Sequence, residues 1–110
     1  MSRSDDKRLE DIAEAGEQIA AIVARGHQAV REDRVLELAL ERLLEIVGEA
    51  MSKMSVEFRD AHSEVEWLRV IGMRNLLAHA YHRIESELVW TAASEDMPAL
   101  LNAMGLPSAP

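Results

Sequence analysis

The sequence predicts an all-α fold, an antiparallel bundle of four main helices, and three observations carry that expectation. Apolar residues recur at steps of three and four along most of the chain. Proline and glycine are scarce, three and five among 110 residues. No Asn-Gly or Asp-Gly pair and no sustained apolar–polar alternation signals a hairpin. With 48% apolar and 29% charged residues, the chain has the composition of one folded domain rather than a disordered segment. Residues 1–105 are expected to form a single helical domain and residues 106–110 a tail.

The first helix is expected to start at an N-cap Ser4 and end near Gly26. Leu9, Ile12, Ile19 and Val23 make its stripe, with Gly16 on the same face. Asp5, Asp6, Glu10 and Asp11 crowd its start, where the helix dipole favours anions. The second and longest helix spans about Glu32 to Met54. Leu36, Leu40, Leu43, Val47, Met51 and Met54 form its main stripe. Val35, Leu38, Ala39, Ile46 and Ala50 widen the apolar sector beyond the ~100° of a one-sided helix, which predicts contacts on two sides. Gly48 costs this helix about 1 kcal/mol against alanine, so a close helix crossing is expected there.

Ser55-Val56-Glu57-Phe58 opens a short connection of about one helical turn. A third helix follows from about Val65 to Ala80, with Gly72 inside it. Ser86 is the expected cap of a fourth helix carrying Leu88, Val89 and Trp90. Pro98 lacks an N–H, so that helix kinks or restarts after Ser94 or Asp96. Met97, Leu100, Leu101 and Met104 continue its apolar face, and Gly105 and Pro107 end it.

Composition excludes several functions. The formal net charge is −8, from 12 basic and 20 acidic residues, a poor basis for general duplex-DNA binding, which depends on cation density. Without cysteine there is no disulfide partner, cysteine-ligated zinc, iron–sulfur cluster or thiol nucleophile. No run reaches the ~20 apolar residues of a membrane span. The start, Met1-Ser2-Arg3-Ser4-Asp5-Asp6, is too acidic for a secretory signal. A cytoplasmic protein is the expectation.

One segment departs from the acidic background. Residues 67–84 hold Arg69, Arg74, Arg83, His79 and His82 and no acid. Such an island on an acidic chain is a candidate anion site, unless its arginines pair with acids elsewhere in the bundle. Arg74 and His79 are five residues apart, about 140° around a helix, so one chain does not easily aim both at one point. Arg74 and Tyr81, seven apart, are nearly eclipsed. A two-fold homodimer could gather two copies of each group around a shared cleft, and the spare apolar face of the second helix would supply its interface.

The run Arg74-Asn75-Leu76-Leu77-Ala78-His79-Ala80-Tyr81 resembles the R-x4-H-x-Y motif of HEPN-domain proteins. More closely, the chain resembles the HepT-like toxins of HEPN/MNT toxin–antitoxin systems. Leu44-Glu45-Ile46-Val47-Gly48-Glu49-Ala50 is similar to that family's second-helix pattern, and Trp67-Leu68-Arg69-Val70-Ile71-Gly72-Met73-Arg74-Asn75 to the start of its third. Val89-Trp90 with Met97-Pro98-Ala99-Leu100 is similar to its last helix. Together these cover about residues 31–104. One departure is visible: the Pro-rich turn usual before the tryptophan is replaced by His62-Ser63-Glu64-Val65-Glu66.

The resemblance implies a HEPN-type bundle and a metal-independent endoribonuclease toxin acting on RNA without a cofactor. By analogy His79 is the general acid/base and Arg74 the clamp on the phosphorane-like transition state, with Asn75 in support. The chemistry suits the residues. RNA supplies its own 2′-OH nucleophile, histidine titrates near neutral pH, and arginine binds phosphate oxygens in bidentate fashion. The resemblance also implies a cognate MNT-type nucleotidyltransferase antitoxin that adenylylates Tyr81.

Other constellations are weaker. His79 and His82 at i,i+3, with Asp60 and His62, could hold a metal, but no H-E-x-x-H pattern accompanies them. Glu45 and Glu49 at i,i+4 read as a solvated face, or as partners of Arg42 or an interface arginine. Against the toxin stand two rivals: a non-catalytic HEPN-like dimer that binds a nucleotide or protein, and a metal-binding four-helix bundle.

Overall fold

The computed structural model describes residues 3–79 and 85–108; Tyr81, His82 and Arg83 lie outside that range. Those residues form helices α1 (Arg3–Val23), α2 (His27–Arg31), α3 (Arg34–Ser52), α4 (Val56–Ala61), α5 (Trp67–His79), α6 (Ser86–Thr91) and α7 (Met97–Ala103). A π-helical turn, Ala92–Asp96, joins α6 to α7. No strand occurs among the described residues. The four long members of the bundle are α1, α3, α5 and the composite α6–α7, as the periodicity predicts.

Helix α3 is the central member. Leu40, Leu44, Val47, Ala50 and Met51 are buried, and beyond its end so is Met54. Ile12 and Ile19 of α1 pack into the same core, which closes on Val89, Met97 and Leu101. Gly16 lets α1 approach α7: a Cβ there would sit 3.0 Å from Leu101 Cδ1. The second apolar set of α3 divides. Ala50 is buried, whereas Val35 and Leu38 are exposed, so part of the widened sector is not covered by the described residues.

Helix boundaries differ from expectation where capping is concerned. Ser4 lies inside α1 rather than capping it. Asp5 instead anchors the first turn: fully buried, it accepts hydrogen bonds from Ser55 N at 3.0 Å and Ser55 Oγ at 2.5 Å. Ser55 Oγ also accepts from Phe58 N and so caps α4. Between the expected first and second helices, in an interval assigned to no element, lies the short helix α2. Gly26 takes φ 100°, which permits the turn, and Asp33 caps α3 through Val35 N and Leu36 N. Ser86 begins α6, but no side chain caps that helix.

Pro98 sits at the start of α7, inside the continuous α6–α7 helix, and brings no N–H to its ladder. The π turn before it absorbs the disturbance that the sequence places at Ser94–Asp96. Gly105, with φ 71°, closes α7: Gly105 N donates to Asn102 O and Leu106 N to Leu101 O, the Schellman pattern.

The segment that replaces the Pro-rich turn fixes the start of α5. Trp67 Nε1 donates to the His62 carbonyl at 3.0 Å. The Trp67 ring meets Phe58 edge-on and carries the Arg59 guanidinium 5.3 Å from its centre. His62 stacks on Phe58 and hydrogen-bonds its carbonyl. Val65 is buried beneath. This anchoring holds α5 against α3, and α5 carries Arg74, Asn75 and His79.

Candidate active site

Helix α5 has apolar residues all round but only one covered face. Val70, Met73 and Leu77 pack on the core. Leu68, 88% exposed, and Leu76 face outward, and Gly72 has open space where a Cβ would stand. At positions 68, 72 and 76 these three share one face.

The crossing of α5 with α3 is close at one point. A Cβ on Gly48 would lie 2.5 Å from Arg74 Cβ and 3.2 Å from Arg74 Cα. The glycine expected to mark a close crossing therefore marks this one, and it seats the backbone of Arg74 directly on α3.

That seating places the Arg74 guanidinium beside Glu49. Arg74 Nε donates to Glu49 Oε2 at 2.6 Å, and a second guanidinium nitrogen, Nη2, contacts the same oxygen. The third, Nη1, donates to Asn75 Oδ1 at 2.9 Å. Lys53 Nζ lies 3.0 Å from the other Glu49 oxygen. Hydrogen bonds from Lys53 and then Arg74 hold the Glu49 carboxyl below its ordinary pKa of 4.5. The result is a Lys53–Glu49–Arg74–Asn75 chain on one side of the α3–α5 crossing. Arg74 is 28% exposed at its side chain, so the guanidinium is oriented yet reachable from solvent.

Asn75 thus accepts a hydrogen bond from Arg74. His79 is the last residue of α5; its side chain, like Tyr81, lies outside the described residues, as does the pairing of His79 with His82. His62, the other histidine considered for a metal, is engaged with Phe58. Among the described residues, no three His, Asp or Glu side chains gather around one point.

The cationic island divides across α5. Arg69 pairs with Glu66 and Asp96, with Nη2 3.1 Å from Asp96 Oδ2. It borders a mostly apolar cavity of about 340 Å³ between α3, α5 and α7. Arg74 borders a larger groove of about 1030 Å³, whose other walls are α1 and α3. Both described arginines of the island have acidic partners, so the alternative to an anion site holds in part for each. Glu45 pairs with Arg42, as the spacing allows. Glu49 is the residue that sequence reasoning undervalued: its partner is an arginine of the same chain. The one local signal was its position next to Gly48.

Residues 12–105 match the HepT-like ribonuclease family. The chain is 36% identical over 101 residues to a protein of Thermococcus cleftensis named a probable ribonuclease HepT, covering 91% of this chain and 92% of that one. It is 31% identical over 102 residues to a provisionally named RNase of Methanocaldococcus jannaschii, covering 91% and 94%. A provisionally named RNase of Caldanaerobacter subterraneus subsp. tengcongensis is 39% identical over 69 residues, 63% of this chain and 62% of the relative. No solved structure matches the chain.

Proposed function

This chain belongs to the HepT-like ribonuclease family and is an endoribonuclease by that membership; we propose that it is a metal-independent toxin that cleaves RNA through Arg74 and His79. The observation that carries the reading is the oriented Arg74 guanidinium at the Gly48 crossing, on the same helix as His79. Arg74 neutralises charge developing on the non-bridging phosphate oxygens. Glu49 and Asn75 hold its fork in place, which reduces the ordering that substrate must impose. His79 exchanges protons with the 2′-OH and the 5′-leaving oxygen, a role that imidazole suits near neutral pH. Residues 1–105 act as one domain, with 106–110 as a tail.

The active form in this reading is a homodimer. Leu68, Gly72 and Leu76 leave one face of α5 uncovered, and Val35 and Leu38 leave part of α3 uncovered. A helix apolar on every side is one that is covered on every side. Bringing two α5 helices together also sets two Arg74/His79 pairs beside one cleft, which relieves their separation of about 140° within one helix. The antitoxin is an MNT-type nucleotidyltransferase that transfers an adenylyl group to Tyr81.

The test is cleavage of a defined RNA in the presence of chelator. Wild-type protein should cut, and Arg74→Ala and His79→Ala should each lose a hundredfold or more while remaining folded. Full activity in a folded His79→Ala protein overturns the assignment.

A further inference from the structure

Lys53 lies at the end of α3, one helical turn past Glu49. It is the C-cap of that helix, with its backbone N–H on Ala50 O, and Arg59 Nη2 donates to the preceding carbonyl, Ser52 O, at 2.7 Å. A cation is favoured there by the helix dipole, and glutamate followed four residues later by lysine is the better order for such a pair. Lys53 Nζ lies 3.0 Å from Glu49 Oε1, while Arg74 holds Glu49 Oε2 through Nε and Nη2. Two cations thus share one carboxylate, and the cluster keeps one net positive charge. The rest of the groove supplies none: beyond these three residues its walls hold three bases and four acids. Glu49 is 36% exposed at its side chain, against 28% for Arg74. A phosphate that reaches the guanidinium therefore also meets this carboxylate.

We propose that Lys53 is a positioning residue for the Arg74 clamp and acts through Glu49: it occupies the carboxylate oxygen that Arg74 does not use and offsets the charge that phosphate would otherwise face. The proposal rests on the reading of Arg74 as the clamp on the reacting phosphate. With Lys53 in place, Glu49 orients the guanidinium without cancelling it. Without Lys53, Glu49 and Arg74 form a neutral pair. The carboxylate then competes with the phosphate oxygens for the same N–H donors, and charge developing on those oxygens has a like charge beside it. The lowered pKa of Glu49, with the Lys53 hydrogen bond as its largest cause and the Arg74 bond next, agrees with this sharing. An exposed i,i+4 pair adds little to stability, so removing Lys53 should leave the fold intact and show itself in the chemistry.

Lys53→Gln should cut a defined RNA with kcat lower by about fivefold and KM changed by less than about twofold, since the loss falls in the transition state. Lys53→Arg should restore most of the rate. Placed on Glu49→Gln, Lys53→Gln should lower kcat by less than about a further twofold, because its effect passes through the carboxylate. Arg42→Gln takes a charge from the same groove, but from beside Glu45 rather than Glu49, and should keep kcat within about twofold of the wild type. Independently of cleavage, the Glu49 carboxyl, followed by NMR and assigned by its absence in Glu49→Gln, should titrate at higher pH in Lys53→Gln than in the wild type. The proposal is overturned if the two losses multiply, which would put Lys53 on the RNA itself, or if Arg42→Gln loses as much. It is overturned equally if Lys53→Arg restores nothing or if the Glu49 titration does not move. Arg74→Ala that cleaves as the wild type does is a different failure: it removes the clamp, and with it any role for Lys53, whatever the titration shows.

Discussion

Gly48 and Arg74 touch across the α3–α5 crossing: a Cβ on the glycine would stand 2.5 Å from the arginine's own Cβ. No side chain fits between them, so the distance between two helices and the position of a guanidinium are set by one absent methyl group. Gly48→Ala should push α5 outward and cost about 1–3 kcal/mol, as overpacking does, despite alanine's better helix propensity. Urea unfolding gives the stability loss. RNA cleavage should fall further than the unfolded fraction explains, because Arg74 moves with α5. Unchanged stability and activity would show that the crossing has slack.

Glu49 gives a second, pH-dependent prediction. Its carboxyl is held below 4.5 by Lys53 and Arg74. A depressed carboxyl pKa stabilises the fold above the unfolded value, and that contribution is lost as pH falls through the folded value. Wild-type protein should therefore lose stability on acidification below about 4.5, and Glu49→Gln should lose less over the same interval. At neutral pH Glu49→Gln should lower kcat more than it raises KM, because it loosens a group needed in the transition state. An identical acid limb in wild type and variant removes Glu49 from this role.

The uncovered face of α5 makes the oligomer testable at a residue far from the chemistry. Wild-type protein at micromolar concentration should sediment at about twice the mass of one chain. Leu68→Asp, at a side chain 88% exposed in the single chain, should keep the helical fold by circular dichroism. It should shift the protein to monomer, since a carboxylate buried in an apolar interface is strongly unfavourable. A wild-type monomer sinks the shared-cleft arrangement, and a dimer in Leu68→Asp places the interface elsewhere.

Tyr81 is the chain's one tyrosine, two residues past His79, and the resemblance makes it the acceptor of adenylyl groups. Such a group would add bulk, and its phosphate would compete for Arg74 and repel RNA. Intact mass after incubation with the partner nucleotidyltransferase and ATP should rise by one or more adenylyl units for the wild type. Tyr81→Phe should gain none, retain most of its cleavage activity and escape neutralisation. The same mass gain in both proteins would move the modification to another residue.

The helical class, the α3 core stripe and the close crossing at Gly48 were legible in the amino-acid sequence alone. Each is a local matter: the 3.6-residue repeat aligns Leu40, Val47 and Met51 whatever the helix packs against, although Leu44 is buried where the stripe placed Leu43, which is only partly covered, and a glycine within a helix marks a neighbour that needs its space. Capping was less legible, because Ser4, Ser55 and Ser86 have the same local chemistry. Only Ser55 finds Asp5, fifty residues away, and it caps α4. The division of the cationic island is a consequence of packing. Arg69 and Arg74 are five residues apart, but docking α5 on α3 sends one to Asp96 and the other to Glu49. Glu49 and Arg74 are 25 residues apart on different helices. Their pairing depends on the register and spacing of the crossing, which no side-chain pattern along either helix specifies by itself.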